Sequence, residues 1–126
     1  MPQPLFDLTG RVALVSGAAR NMGRAAAIAL AEAGAELFIA DVDEAGLLAT
    51  ARTVERLGRR AVAAVYDVWQ AAQIRAMYRR LDDEFGRVDV VANIPGANVL
   101  GHPEEITVEH FTHVLQATLV SKFVSC

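Results

Sequence analysis

Residues Val12 to Gly23 read Val-Ala-Leu-Val-Ser-Gly-Ala-Ala-Arg-Asn-Met-Gly. An apolar run suited to a buried strand stops at Gly17, and an Ala-rich helical segment opens at Gly23, with few bulky side chains between them. Such a loop brings backbone N–H groups and the positive end of a helix dipole to the end of the strand, where an anion such as a diphosphate is favoured. Gly17, Arg20, Asn21, Met22 and Gly23 are therefore the first candidate binding residues. The spacing, Gly-x-x-x-x-x-Gly, is neither Gly-x-Gly-x-x-Gly nor a P-loop, which requires Gly-Lys-Ser/Thr. Taken alone, the loop can also be read as a tight strand-to-helix turn that binds nothing.

Polar residues stand at the ends of three later apolar runs: Asp41, Asp67 and Asn93. Asp41 follows Gly17 by 24 residues, near the place where an acid accepts hydrogen bonds from a ribose. Its plainer reading is a helix cap shared with Asp43, and Asp67 reads as a turn acid. His110 and His113 lie three apart with no third ligand in view, so no metal is assigned. Trp69 reads as partly buried packing, and Cys126 as a small apolar residue.

The elements that would position these residues alternate. Strands are expected at Val12–Val15, Leu37–Ala40, Ala61–Tyr66 and Val88–Ala92. A helix runs from about Gly23 to Ala33, ended by Gly34. Asp43 caps a second, whose apolar positions Leu47, Ala51 and Val54 share a face before Gly58 ends it. Ile74, Met77, Tyr78, Leu81 and Phe85 trace a 3.6-residue stripe closed by Gly86, and Thr107 is the natural N-cap of a last helix. Apolar strands separated by helices imply an α/β fold with a parallel sheet covered on both faces. Right-handed crossovers with a reversal after the third strand give the order 3-2-1-4, the beginning of a doubly wound sheet. Ligands of such sheets lie at the carboxyl ends of the strands, which is where the candidate residues fall.

Composition narrows the partners. The 126 residues allow one domain, and the 53% hydrophobic content is that of a globular protein with a core. A net charge of −3 and the absence of a basic stripe argue against nucleic acid and anionic membrane surfaces. A single cysteine excludes an intramolecular disulfide, and Met1-Pro-Gln-Pro lacks the regions of a signal peptide. Glu32 and Glu36 interrupt the longest apolar stretch, so a cytoplasmic location without a membrane span is expected.

Ser16-Gly17-Ala18-Ala19-Arg20-Asn21-Met22-Gly23 resembles the Thr-Gly-x-x-x-Gly-x-Gly loop of short-chain dehydrogenases/reductases. Asp67-Val68 resembles the family's Asp-Val pair, whose acid meets the adenine amino group. The segment Val88 to Gly96 resembles its strand followed by Asn-Asn-Ala-Gly, which adds Gly96 to Asn93, and Glu105-Ile106-Thr107 matches the start of its next helix. The resemblance covers the whole chain. It implies a Rossmann-like fold over residues 1–126, incomplete at the C-terminus, that binds NAD, with NADP the less favoured cofactor. The family's reaction is hydride transfer between NAD(H) and an alcohol/carbonyl pair.

There are departures. Asn21 stands for the middle glycine, and Asn-Ile-Pro-Gly replaces Asn-Asn-Ala-Gly. Thr118 occupies the place of the family's catalytic asparagine and reads as core-facing, on the stripe of Phe111 and Leu115. The family's chemistry needs a serine and a Tyr-x-x-x-Lys pair, which by resemblance come after the last helix here. Four residues beyond Tyr66 and Tyr78 stand Gln70 and Asp82, and Lys122 is the only lysine. The expectation is that residues 1–126 bind the dinucleotide without turnover, engage an alcohol or carbonyl substrate only with a C-terminal half, and self-associate through the Val88–Ala92 edge. Two other readings stay open: a nucleotide-sensing module without chemistry, and a methyltransferase-like domain, which also places a glycine loop and an acid after its first two strands.

Overall fold

The computed structural model describes residues 4–126. Four strands, β1 (Val12–Ser16), β2 (Glu36–Asp41), β3 (Ala61–Val65) and β4 (Val90–Asn93), form one parallel sheet in the order 3-2-1-4. Between them run α1 (Asn21–Glu32), α2 (Glu44–Arg56) and α3 (Ala71–Phe85). After β4 the chain crosses a short 3-10 turn, Pro103–Glu105, into α4 (Val108–Leu115), a π turn (Gln116–Val120) and α5 (Ser121–Ser125).

The strands sort their side chains by the pleat. Ala13, Val15, Leu37 and Ile39 point to one face, where Ala27 and Ala31 of α1 and Leu47, Ala51 and Val54 of α2 cover them. Leu14, Phe38, Ala40 and Ala64 point to the other, beneath Ile74, Met77 and Leu81 of α3. The alanines of α1 let that helix approach the sheet closely. Helix ends follow the local chemistry: the Asp43 carboxylate accepts from the Gly46 N–H, Thr107 Oγ1 accepts from the His110 N–H, and Gly86 adopts φ 67° to close α3.

Two expectations need correction. The fourth strand begins at Val90 rather than Val88, because Asp89 is spent on a cap. Its Oδ2 accepts from the Val12 N–H at 2.9 Å, and Arg87 pairs with the same carboxylate at 2.6 Å. The stripe Phe111–Leu115–Thr118 faces outward rather than into the core, with Phe111 60% and Leu115 38% exposed and Thr118 also exposed. The last helical stretch instead buries Ala117, Ser121 and Ser125.

The Asp89 cap carries a pH dependence. Its hydrogen bonds from Arg87 and the Val12 N–H, with the Arg87 and Arg11 charges, hold its carboxyl at about 2, below the ordinary 3.8. A depressed folded value means the stabilisation is complete above the unfolded value and lost as pH falls through the folded one. Urea titrations between pH 4 and pH 2 should therefore show a steeper loss of stability for the parent than for Asp89→Asn. Parallel curves would assign the acid sensitivity elsewhere.

Candidate functional site

A cleft of about 490 Å³ opens at the carboxyl ends of the strands, above the point where the chain order reverses between β1 and β4. Gly17, Arg20, Asn21, Met22 and Gly23 form one wall, Asp41 and Val42 one end, Tyr66 to Trp69 a second wall, and Ile94 to Gly96 a third.

The first wall is made by a close backbone approach. Gly17 takes φ 77°, and a Cβ placed at Gly23 would lie 1.7 Å from Gly17 O, so the opening of α1 rests directly on the end of β1. Asn21 adopts φ 51°, the left-handed conformation that asparagine tolerates better than most residues. No side chain caps α1, and its first turn holds no acid. The helix start therefore has no side-chain cap, and the residues that carry its free N–H groups, Asn21 to Gly23, line the cleft, an arrangement that suits an anion.

Asp41 braces this loop. Its Oδ2 accepts from the Ala19 N–H at 3.1 Å, while Oδ1 accepts from the N–H groups of Val42 and Asp43. It is Asp43, not Asp41, that caps α2. Asp67 is likewise engaged, accepting from the Trp69 N–H at 3.0 Å and from Gln70 Nε2 at 2.8 Å. Val68 and Gly96 line the cleft as well. Asn93 does not: at the end of β4, its Oδ1 accepts from Ser16 Oγ at 3.2 Å and from Ser125 Oγ at 2.9 Å, fastening β4 to β1 and α5. Arg20 is exposed and makes no ion pair among the described residues.

Reasoning from residue type passed over several contributors. Val42, Tyr66, Ile94 and Pro95 line the cleft, each beside a residue singled out for its polarity or for being glycine. Thr50 holds the glycine loop from behind. It is fully buried, and its hydroxyl donates to Ala18 O at 2.8 Å. A threonine on the apolar face of Leu47, Ala51 and Val54 was the signal that could have found it. Gly46 lets α2 reach the loop, since a Cβ there would meet the Ala19 side chain at 2.8 Å. Trp69, partly buried, stacks edge-on against His113 with centroids 5.0 Å apart, and its carbonyl accepts from Gln116 Nε2.

A parallel sheet in this order, with a glycine-walled cleft at its switch point, defines a Rossmann-like domain. Residues 11–126 match the short chain dehydrogenase family model, and the chain belongs to that family. It is 35% identical over 123 residues to the D-threitol dehydrogenase of Mycolicibacterium smegmatis, an alignment covering 96% of this chain and 46% of that protein. With the L-fucose dehydrogenase of Oryctolagus cuniculus it shares 35% identity over 118 residues, 93% of this chain and 40% of the relative. Among solved structures, the RhlG/NADP active-site complex of Pseudomonas aeruginosa superposes with a TM-score of 0.90 at 31% identity, covering 98% of this chain and 48% of that one. The chain thus spans about half the length of the relatives it matches. The family uses NAD(P). Among the described residues, no helix is long and apolar enough to cross a membrane.

Proposed function

We propose that this chain is the dinucleotide-binding part of an oxidoreductase that passes hydride between NAD(H) and an alcohol/carbonyl pair. The observation that carries the reading is the uncapped start of α1, set over Gly17 and opening on the cleft. The diphosphate belongs at the N–H groups of Asn21 to Gly23. Asp67 and Val68 belong to the adenine side. Asn93 supports the site indirectly, by holding the end of β4 in place. When bound, the nicotinamide supplies or accepts the hydride; the residues of this chain bind and orient it.

Asp41 favours NAD over NADP, because a carboxylate at the end of β2 accepts from ribose hydroxyls and repels a 2′-phosphate. Arg20 pulls the other way, but exposed Val42 supplies no charge to offset Asp41. Within residues 1–126 there is no Tyr-x-x-x-Lys. The open β4 edge and the exposed side chains of Val91, Phe111, Leu119 and Phe123 support self-association.

Competitive titration with NADH, NADPH and S-adenosylmethionine tests the assignment. Tightest binding of NADH is expected. Tighter NADPH would reverse the Asp41 assignment, and binding of S-adenosylmethionine alone would overturn the dinucleotide reading.

A further inference from the structure

From Pro95 to Gly101 the chain is irregular, and among the described residues it makes one hydrogen bond, in which Lys122 Nζ donates to Pro95 O. The nearest backbone anchors lie outside the stretch, at Ile94 N–H to Ser16 O and at Glu105 N–H to His102 O. Pro95 has no N–H of its own to add another. Yet this stretch contains part of the cleft. Pro95 and Gly96 line it, and a Cβ on Gly17 would meet the Pro95 ring at 3.1 Å, so the ring rests on the glycine loop. On the opposite side, a Cβ on Gly96 would meet Thr118 Cγ2 at 3.3 Å.

We propose that Lys122 is a positioning residue: from α5 it pins Pro95 against Gly17 and so holds one wall of the cleft in its binding geometry. Its ligand rests on the nucleotide reading above; its geometry does not. Lys122 is half-buried, has no acidic partner among the described residues, and is shifted to lower pKa by burial. A charged donor with a single carbonyl acceptor makes a stronger bond than a neutral one. One turn further on, Ser125 bonds Asn93, so α5 grips the chain on both sides of Ile94.

The test compares the parent with Lys122→Met, which keeps the stem and removes the donor, and Lys122→Arg, which restores a donor. Backbone 15N order parameters at Gly96 and Ala97, measured without nucleotide, should fall from about 0.85 to below about 0.6 in Lys122→Met and recover in Lys122→Arg. NADH affinity should weaken about tenfold in Lys122→Met, the scale of one charge-assisted hydrogen bond, with little change in melting temperature. Unchanged order parameters would overturn the proposal. So would mobile Gly96 and Ala97 with undiminished NADH affinity, or an affinity loss matched by general destabilisation. If the parent binds no NADH while the order parameters respond as expected, the nucleotide reading fails and the anchoring of the wall stands.

Discussion

Replacing Gly23 with alanine is expected to collapse the glycine loop and abolish dinucleotide binding. Two effects compete. In a helix interior alanine is favoured over glycine by about 1 kcal/mol. Against that, the new methyl would lie 1.7 Å from Gly17 O and 2.5 Å from Gly17 C, backbone atoms that cannot rotate away. Overpacking of flexible side chains already costs roughly 1–3 kcal/mol, and a clash with backbone sits at or above the top of that range. The clash wins, with a net loss of about 2 kcal/mol or more. A fall in melting temperature of several degrees or more should accompany the loss of NADH binding. An alanine variant as stable as the parent would show that α1 can lift off β1, and the close-approach argument would fail.

Asp41→Ala should cost both stability and cofactor discrimination, and a second variant separates the two. Ala19 is 3% exposed, so its N–H cannot readily turn to water when the carboxylate is removed. An orphaned buried donor costs about 1–3 kcal/mol. Asp41→Asn keeps an oxygen for that N–H but removes the charge and turns its NH2 toward the Val42 and Asp43 N–H groups, so it should recover part of the stability. Neither variant would repel a 2′-phosphate, so NADPH should gain at least about tenfold on NADH in both, the equivalent of ~1.4 kcal/mol. Denaturant melts and paired titrations check the two halves. If Asp41→Asn discriminates as the parent does, the carboxylate is not the selecting group.

The sheet was legible wherever a residue's neighbours in sequence decide its environment. Val12–Val15 and Leu37–Ala40 are apolar on both pleat faces, which only a strand covered on both sides requires, and both lie in the observed strands. Asp43 and Gly86 end their helices by local chemistry. Most of the residues singled out for binding line the cleft because strand order alone places the strand ends together. What escaped depends on contacts between distant segments. The run from Val88 reads as strand because it is mostly apolar, whereas the Asp89 carboxylate bonding the Val12 N–H delays the start of the strand by two residues, to Val90. Phe111 and Leu115 have helical spacing, but spacing does not say which face of a helix meets the sheet. Thr50 and Lys122 act on carbonyls 32 and 27 positions away in the chain.

The π turn at Gln116–Val120 has a bearing on how the two ends of this last helical stretch can vary. A regular helix advances about 100° per residue, so one additional residue in a turn rotates everything after it by about that angle. The stretch is in effect two helices spliced out of phase. The first half displays Phe111 and Leu115 outward, while the second keeps Lys122 and Ser125 on the sheet side. The two halves answer to different neighbours. Length is a different matter. Losing a single residue between 116 and 120 would turn Lys122 and Ser125 away from their acceptors together, so the spacing of this turn is under tighter constraint than the identity of its residues.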